Sequence, residues 1–206
     1  MNYYLDFDNT LYETAKLTVL MLDAIANTIS KSTGEEACTL KKEAVENFNS
    51  TIDNIFSFAE NMSKKHGVDS QKVLDKVNEV IDNGNIIVFE DAIRFLKRLK
   101  ENGHKAFILT YVAKGNEEYQ MKKLLGSGLM QYFDGIIITS EYKFLLDLKY
   151  ENGIFIDDDP RDLNGLFEKN AIQVIRIRKP NNKRSKIDIN NSQIKEYESF
   201  DDIAVE

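Results

Sequence analysis

From Glu90 onward, apolar segments of two different periods take turns along the chain, and this alternation narrows the choice of fold more than any other feature. Helical spacing over residues 90–102 stops at Gly103 and gives way to the strand-like run Lys105–Thr110. A helix near 116–125 precedes a strand at Ile136–Thr139, a short helix near 142–150 precedes Gly153–Asp157, and a helix over 162–169 precedes Ile172–Arg178. Strands separated by helices cannot pair as hairpins. They join through right-handed crossovers into a parallel sheet covered on both faces. The expected fold class is therefore α/β, a doubly wound parallel sheet. Residues Gln193–Ile203 add a last strand and short helix, and the aromatic-rich segment Asn2–Phe7 is a strand that opens the chain.

Between the first strand and this alternating region the period is helical throughout. Leu17, Leu20, Met21, Ala24, Ile25 and Ile29 fall on one face of a first helix. Thr33 with Glu36 three residues later has the form of a capping box, and an apolar stripe from Leu40 through Ala59, including Phe48 and Phe56, predicts one long second helix. Val73, Leu74, Val77, Val80 and Ile81 mark a third, ended by Asn83-Gly84-Asn85. Residues 12–86 thus read as an all-helical insertion, with Ile86–Phe89 as the linker back into a core made of residues 1–11 and 87–206.

With 206 residues, 42% of them apolar, the chain is long enough for one full domain carrying an insertion. One cysteine, Cys38, excludes an internal disulfide and a thiolate zinc cage, and two histidines exclude a histidine-rich metal site. Cys38 reads as packing within the helical insertion. Apolar runs stop at four residues, as at Val19–Leu22, whereas a membrane span needs about 20 and a secretory signal about 7 to 15. A cytoplasmic protein is expected, with no membrane partner. The balance of 34 acidic against 27 basic side chains gives no general attraction to nucleic acid, which is not expected as a partner. Carboxylates are the abundant reactive group.

In an open parallel sheet, ligands bind beyond the carboxyl ends of the strands, so the residues ending each strand are the ones to inspect. The first strand ends in Asp6-Phe7-Asp8-Asn9-Thr10, the next in Leu109-Thr110-Tyr111, the third in Thr139-Ser140 with Lys143 close behind, and the fourth in Asp157-Asp158-Asp159. Acids at i and i+2 of an extended segment point to one side, and crowding Asp158 nearby favours a hard divalent cation with oxygen ligands, Mg2+. A carboxylate beside such a cation can attack a phosphate ester and form an aspartyl-phosphate. Asp8 could protonate the leaving alkoxide and then take a proton from water, provided its surroundings first keep it protonated. Lys143 and the Thr110 hydroxyl would meet the phosphoryl oxygens.

These residues resemble the motifs of the haloacid dehalogenase (HAD) superfamily. Asp6-Phe7-Asp8-Asn9-Thr10-Leu11 resembles its Asp-x-Asp-x-Thr signature, Phe107-Ile108-Leu109-Thr110 its second motif, Lys143 its third, and Ile154–Pro160 its acidic fourth. The resemblance implies a Rossmann-like core with Asp6 as nucleophile and metal ligand. It makes Asp8 the acid/base, ligating metal through its backbone carbonyl, Thr110 and Lys143 the phosphate binders, and Asp158 a metal ligand, with Asp157 or Asp162 assisting. Lys149 is a rival for the lysine role. The insertion resembles the family's helical C1 cap, which closes over the site and selects the substrate. Asp at position 8 is similar to the phosphatase branch, since dehalogenases need no acid there, and implies a Mg2+-dependent phosphomonoesterase acting on a small phosphorylated metabolite such as a nucleotide or sugar phosphate. Tyr111 departs from the Asn that many members have.

Two alternatives stand beside that reading. A receiver-like phospho-accepting regulatory module also combines Asp, Thr and Lys, though in a different motif order. A nucleic-acid end phosphatase could use the basic concentration Arg176, Arg178, Lys179, Lys183, Arg184 and Lys186. Residues 176–186 lack interleaved aromatics for base stacking and read as a solvated loop. His66 and His104 each adjoin a glycine and read as helix-end residues.

Overall fold

The computed structural model describes residues 1–48, 54–146, 153–170, 173–180, 182–189 and 191–205. Two compact units emerge: Met1–Thr14 with Asn85–Glu206, and Ala15–Gly84.

The first unit is built on six parallel strands: β1 Asn2–Leu5, β2 Lys105–Tyr111, β3 Gly135–Thr139, β4 Gly153–Asp157, β5 Gln173–Ile177 and β6 Lys195–Tyr197. They lie in the order β3-β2-β1-β4-β5-β6, which makes the fold a doubly wound α/β sheet of Rossmann-like type. All five residues of β4 are buried, as an inner strand covered on both faces requires. A helix over Glu90–Glu101 turns Ala92, Phe95, Leu96 and Leu99 inward at helical spacing, and Phe95 meets Tyr3 edge-on at 5.8 Å. A second helix, Pro160–Asn170, starts on a proline whose missing N–H costs nothing at that position, and Leu163 and Leu166 pack with Leu109, Phe155, Val174 and Ile194. The expected linker is more ordered than a bare connection. Residues 84–87 form a 3-10 turn, and Val88 pairs antiparallel with Tyr12.

The second unit is helical. Its members are α1 Thr14–Thr33, which begins one residue before the unit, α2 Ala37–Asn47, α3 Ile55–Lys65 and α4 Ser70–Asp82. The single long helix expected through Ala59 is two: Phe48, in extended backbone, ends α2, and the Asn54 side chain caps α3 by accepting from the Phe56 amide at 2.9 Å. An apolar stripe cannot reveal such a break, because both halves keep the same period. The Thr33–Glu36 capping box does not form. Thr33 is the last residue of α1, its hydroxyl donating back to the Ile29 carbonyl at 3.0 Å, and Gly34 with φ 81° ends that helix. Cys38 is exposed rather than packed. His66 caps the end of α3 and reaches Glu35 and Glu43 at 3.0 and 3.2 Å. Among the described residues no helix is long and apolar enough to cross a membrane.

Candidate active site

The strand order reverses between β1 and β4, where crossovers leave toward opposite edges and open a crevice at the strand ends. Register decides what stands there. Leu5 pairs with Ile156 and Ile108, so Asp6 and Asp157 follow side by side, and the Asp6 amide donates to the Ile156 carbonyl at 2.9 Å. Beyond Asp6 the chain folds back tightly, with the Leu11 and Tyr12 amides both donating to the Phe7 carbonyl. Asn9 makes this turn at φ 61°, a conformation asparagine tolerates better than most residues. The turn returns the Thr10 hydroxyl to Asp6 Oδ2 at 3.1 Å.

Carboxylate oxygens of Asp6, Asp157 and Asp158 lie within 4.8 Å of one another, all three buried. Lys143 joins this group from a short 3-10 turn, its ammonium 2.5 Å from Asp6 Oδ1 and 2.6 Å from Asp157 Oδ2. The two assisting candidates therefore separate. Asp157 belongs to the cluster, whereas Asp162 accepts from the Lys143 amide at 3.0 Å and holds the lysine's backbone. Lys149 lies outside the described residues. Burial first, and then the charges of Asp157 and Asp158, hold the Asp6 carboxyl well above the usual carboxylate range despite Lys143. Burial and Asp157 likewise push Asp158 up to about 7, against the pull of Arg184 and Asn182. The local cations thus leave the cluster short of positive charge. Three buried, crowded carboxylates in that condition suit a hard divalent cation with oxygen ligands, so the donor set fits Mg2+.

Asp8 is placed differently. Lys123 reaches its Oδ1 at 2.5 Å, Gln120 donates to its Oδ2 at 2.7 Å, and the Thr14 hydroxyl also donates to Oδ1. Burial pushes the Asp8 carboxyl up, but Lys123 and these hydrogen bonds outweigh it and hold the group below its ordinary value. The protonated resting state expected from sequence is thus not what these surroundings favour. Thr110 is fully buried at the end of β2, its hydroxyl accepting from Gln120 at 3.0 Å. Gln120 and Lys123 escaped the sequence reading. Both sit on the helix Glu117–Gly126, three residues apart on the inward face beside Leu124, and a polar pair on an apolar stripe is the signal that marks them.

The basic segment is a solvated loop only in part, with Lys183 and Lys186 exposed. Arg176 is 0% exposed, donating to Glu196 at 2.9 Å and to the Arg184 carbonyl at 2.6 Å. Lys179 is buried against Asp91 at 2.5 Å, and Arg178 donates to the Ser185 carbonyl. Arg184 reaches Asp158 at 3.3 Å and Asp159 at 3.4 Å, while Asn182 donates to Asp158 at 2.5 Å. Four of these six cations are committed to intramolecular partners, which leaves the segment little charge for gripping an oligonucleotide.

A cleft of about 170 Å³ opens over the carboxylates, bounded by Asp6, Asp8, Lys143, Tyr111, Tyr142 and Arg161 among others. The family model for haloacid dehalogenase-like hydrolases matches residues 3–165. Among solved structures, a haloacid dehalogenase-like hydrolase from Burkholderia xenovorans is 16% identical, with 98% of this chain and 93% of that chain covered and a TM-score of 0.67. A 2-haloacid dehalogenase from Pseudomonas syringae is 13% identical, covering 97% and 94% with a TM-score of 0.59. A HAD phosphatase from Thermococcus onnurineus is 18% identical, covering 97% and 94% with a TM-score of 0.55. A search of curated proteins by sequence finds no match. With the family model spanning most of the chain and the sheet carrying Asp6 at its switch point, this protein belongs to the haloacid dehalogenase-like hydrolases.

Proposed function

We propose that the chain is a Mg2+-dependent phosphomonoester hydrolase that works through an aspartyl-phosphate on Asp6. The observation that carries this reading is that a second carboxylate, Asp8, borders the same cleft as Asp6 but has a separate set of partners. Two carboxylates with divergent environments suit one nucleophile and one proton carrier. A dehalogenase would have no use for the second.

Asp6, Asp158 and the backbone carbonyl of Asp8 would hold Mg2+, with Asp157 beside them, and the ion would draw charge from the phosphoryl oxygens. An Asp6 carboxylate oxygen attacks phosphorus while the ester oxygen departs with the bonding electrons, taking a proton from Asp8. Because Lys123 favours the carboxylate in the resting site, Asp8 takes that proton from solvent once the ester has entered and its phosphate charge offsets Lys123. In the second half, Asp8 takes a proton from water, whose oxygen attacks phosphorus, and the P–O bond to Asp6 breaks to release inorganic phosphate. Lys143, bridging Asp6 and Asp157, orients the nucleophile and meets a phosphoryl oxygen, with the Thr110 hydroxyl, held by Gln120, as the second phosphate binder. Residues 12–86 are assigned the role of cap, and the substrate is a small phosphorylated metabolite.

The test is hydrolysis of a phosphomonoester panel with Mg2+ by the wild type and by Asp6→Asn. Turnover abolished by the substitution supports the reading. Absence of turnover on every ester, or full activity in the variant, would refute it, and a phosphoprotein stable for minutes without turnover would favour a receiver-like module instead.

A further inference from the structure

Two exposed tyrosines flank the phosphate end of the cleft in a way the hydrolytic mechanism does not use. Tyr111 directly follows Thr110 at the end of β2, and Tyr142 directly precedes Lys143, so each ring is one residue from a group assigned to the phosphate. The rings are stacked on each other, 6.0 Å between centroids and 15° between planes, and Tyr142 stacks in turn on Phe144 at 5.5 Å and 19°. The Arg161 guanidinium lies 5.7 Å from the Tyr142 centroid, itself fixed by Asp159 at 2.8 and 3.2 Å. Although held this firmly, Tyr111 and Tyr142 remain 44% and 41% exposed and line the cleft. Aromatic surface that is rigid, wet and beside a reaction centre is what a planar ring of a ligand covers, at little cost in side-chain freedom.

Building on the phosphomonoesterase reading, we propose that the substrate is a nucleoside 5′-monophosphate whose base stacks on the Tyr111–Tyr142 platform. The platform is a short ladder: Phe144 backs Tyr142, Tyr142 backs Tyr111, and Arg161 places positive charge beside the Tyr142 ring. Phe144 in turn sits against Gly165, where a Cβ would meet the ring at 2.4 and 2.6 Å. Stacking tolerates any base, because each has a π face, so the preference is for a base over none rather than for one base.

The deciding comparison is between adenosine 5′-monophosphate and ribose 5-phosphate, which break the same primary ester bond and differ by the base. With Mg2+, kcat/KM should favour the nucleotide by about 10-fold or more, the scale of one base stacked on one aromatic ring. That ratio should fall several-fold in Tyr142→Leu and in Tyr111→Leu and persist in Tyr142→Phe and Tyr111→Phe. Equal kcat/KM for the two esters, or a ratio unmoved by the leucine variants, would overturn the proposal. Calorimetric binding of both compounds to Asp6→Asn separates this inference from the activity it rests on. If no ester is hydrolysed the hydrolase reading fails, yet tighter binding of the nucleotide, lost with Tyr142→Leu, still supports the platform. Equal binding, or binding of neither, overturns it.

Discussion

Replacing Lys123 by Met would test whether the Asp8 environment is as tightly built as the geometry implies. The Lys123 side chain is 5% exposed, its ammonium 2.5 Å from Asp8 Oδ1 and 5.2 and 5.8 Å from the ring centroids of Tyr119 and Phe7. Met keeps the length and apolar contacts of the stem and deletes only the charge. A buried carboxylate is then left without its cation, a loss worth about 3–5 kcal/mol. Asp8 keeps Gln120 and Thr14 and is 22% exposed, so the lower end, about 3 kcal/mol, is expected. For a chain of this length that lowers Tm by about 6–12 °C. The sign with pH is fixed. In the wild type the Asp8 carboxyl sits below its ordinary value, so the pair stabilises fully above the unfolded carboxylate pKa of about 4 and its contribution is lost as pH falls through the folded value. Without Lys123, burial dominates and raises Asp8, so the variant loses stability as pH rises above about 4. Thermal unfolding in metal-free buffer from pH 4 to 8 should therefore show a gap between the two proteins that is widest near neutrality and closes in acid. Adding Asp8→Asn to the variant should recover at least about 2 kcal/mol, because no buried charge is stranded. A gap independent of pH, or a double variant no more stable than Lys123→Met, would refute the reasoning.

Two further outcomes follow from the same geometry. Mg2+ at about 100 times its Kd should stabilise the wild type by about 2.7 kcal/mol in thermal melts. That gain should grow from pH 6 to 8 as Asp158, pushed up to about 7 by burial and Asp157, loses its proton to solvent and offers a carboxylate to the ion, and Asp158→Asn should abolish it; an unchanged gain in the variant would remove Asp158 from the metal site. Gly165→Ala should cost about 1–3 kcal/mol, measured by denaturant unfolding, since the new methyl meets Phe144 Cγ, Cδ1 and Cβ at 2.4, 2.6 and 2.9 Å, and a neutral result would mean that the ring has room to move.

What could be read from sequence and what could not divide along a physical line. Residues whose place depends on where a strand stops were legible: Asp6, Thr110 and Asp157 each end a run of β-forming residues, and parallel pairing with β1 at the centre carries them to one edge. Residues whose role depends on which neighbour lies across were not. Arg176 looks like a solvated cation until β5 and β6 are set in register, where it pairs directly with Glu196 and its charge is compensated within the sheet. Thr33 satisfies the capping-box spacing, but its hydroxyl has a nearer acceptor one turn back in α1, and local competition of that kind leaves no mark on composition or period. Lys123 combines both difficulties. Its helix predicts burial at that position, burial of a lysine demands a counter-charge, and only the tight turn after Asp6 puts Asp8 there to supply one. The same turn thus turns one carboxylate toward Lys143, which it shares with Asp157, and the other toward a lysine of its own, and the proposed division between nucleophile and proton carrier rests on that separation.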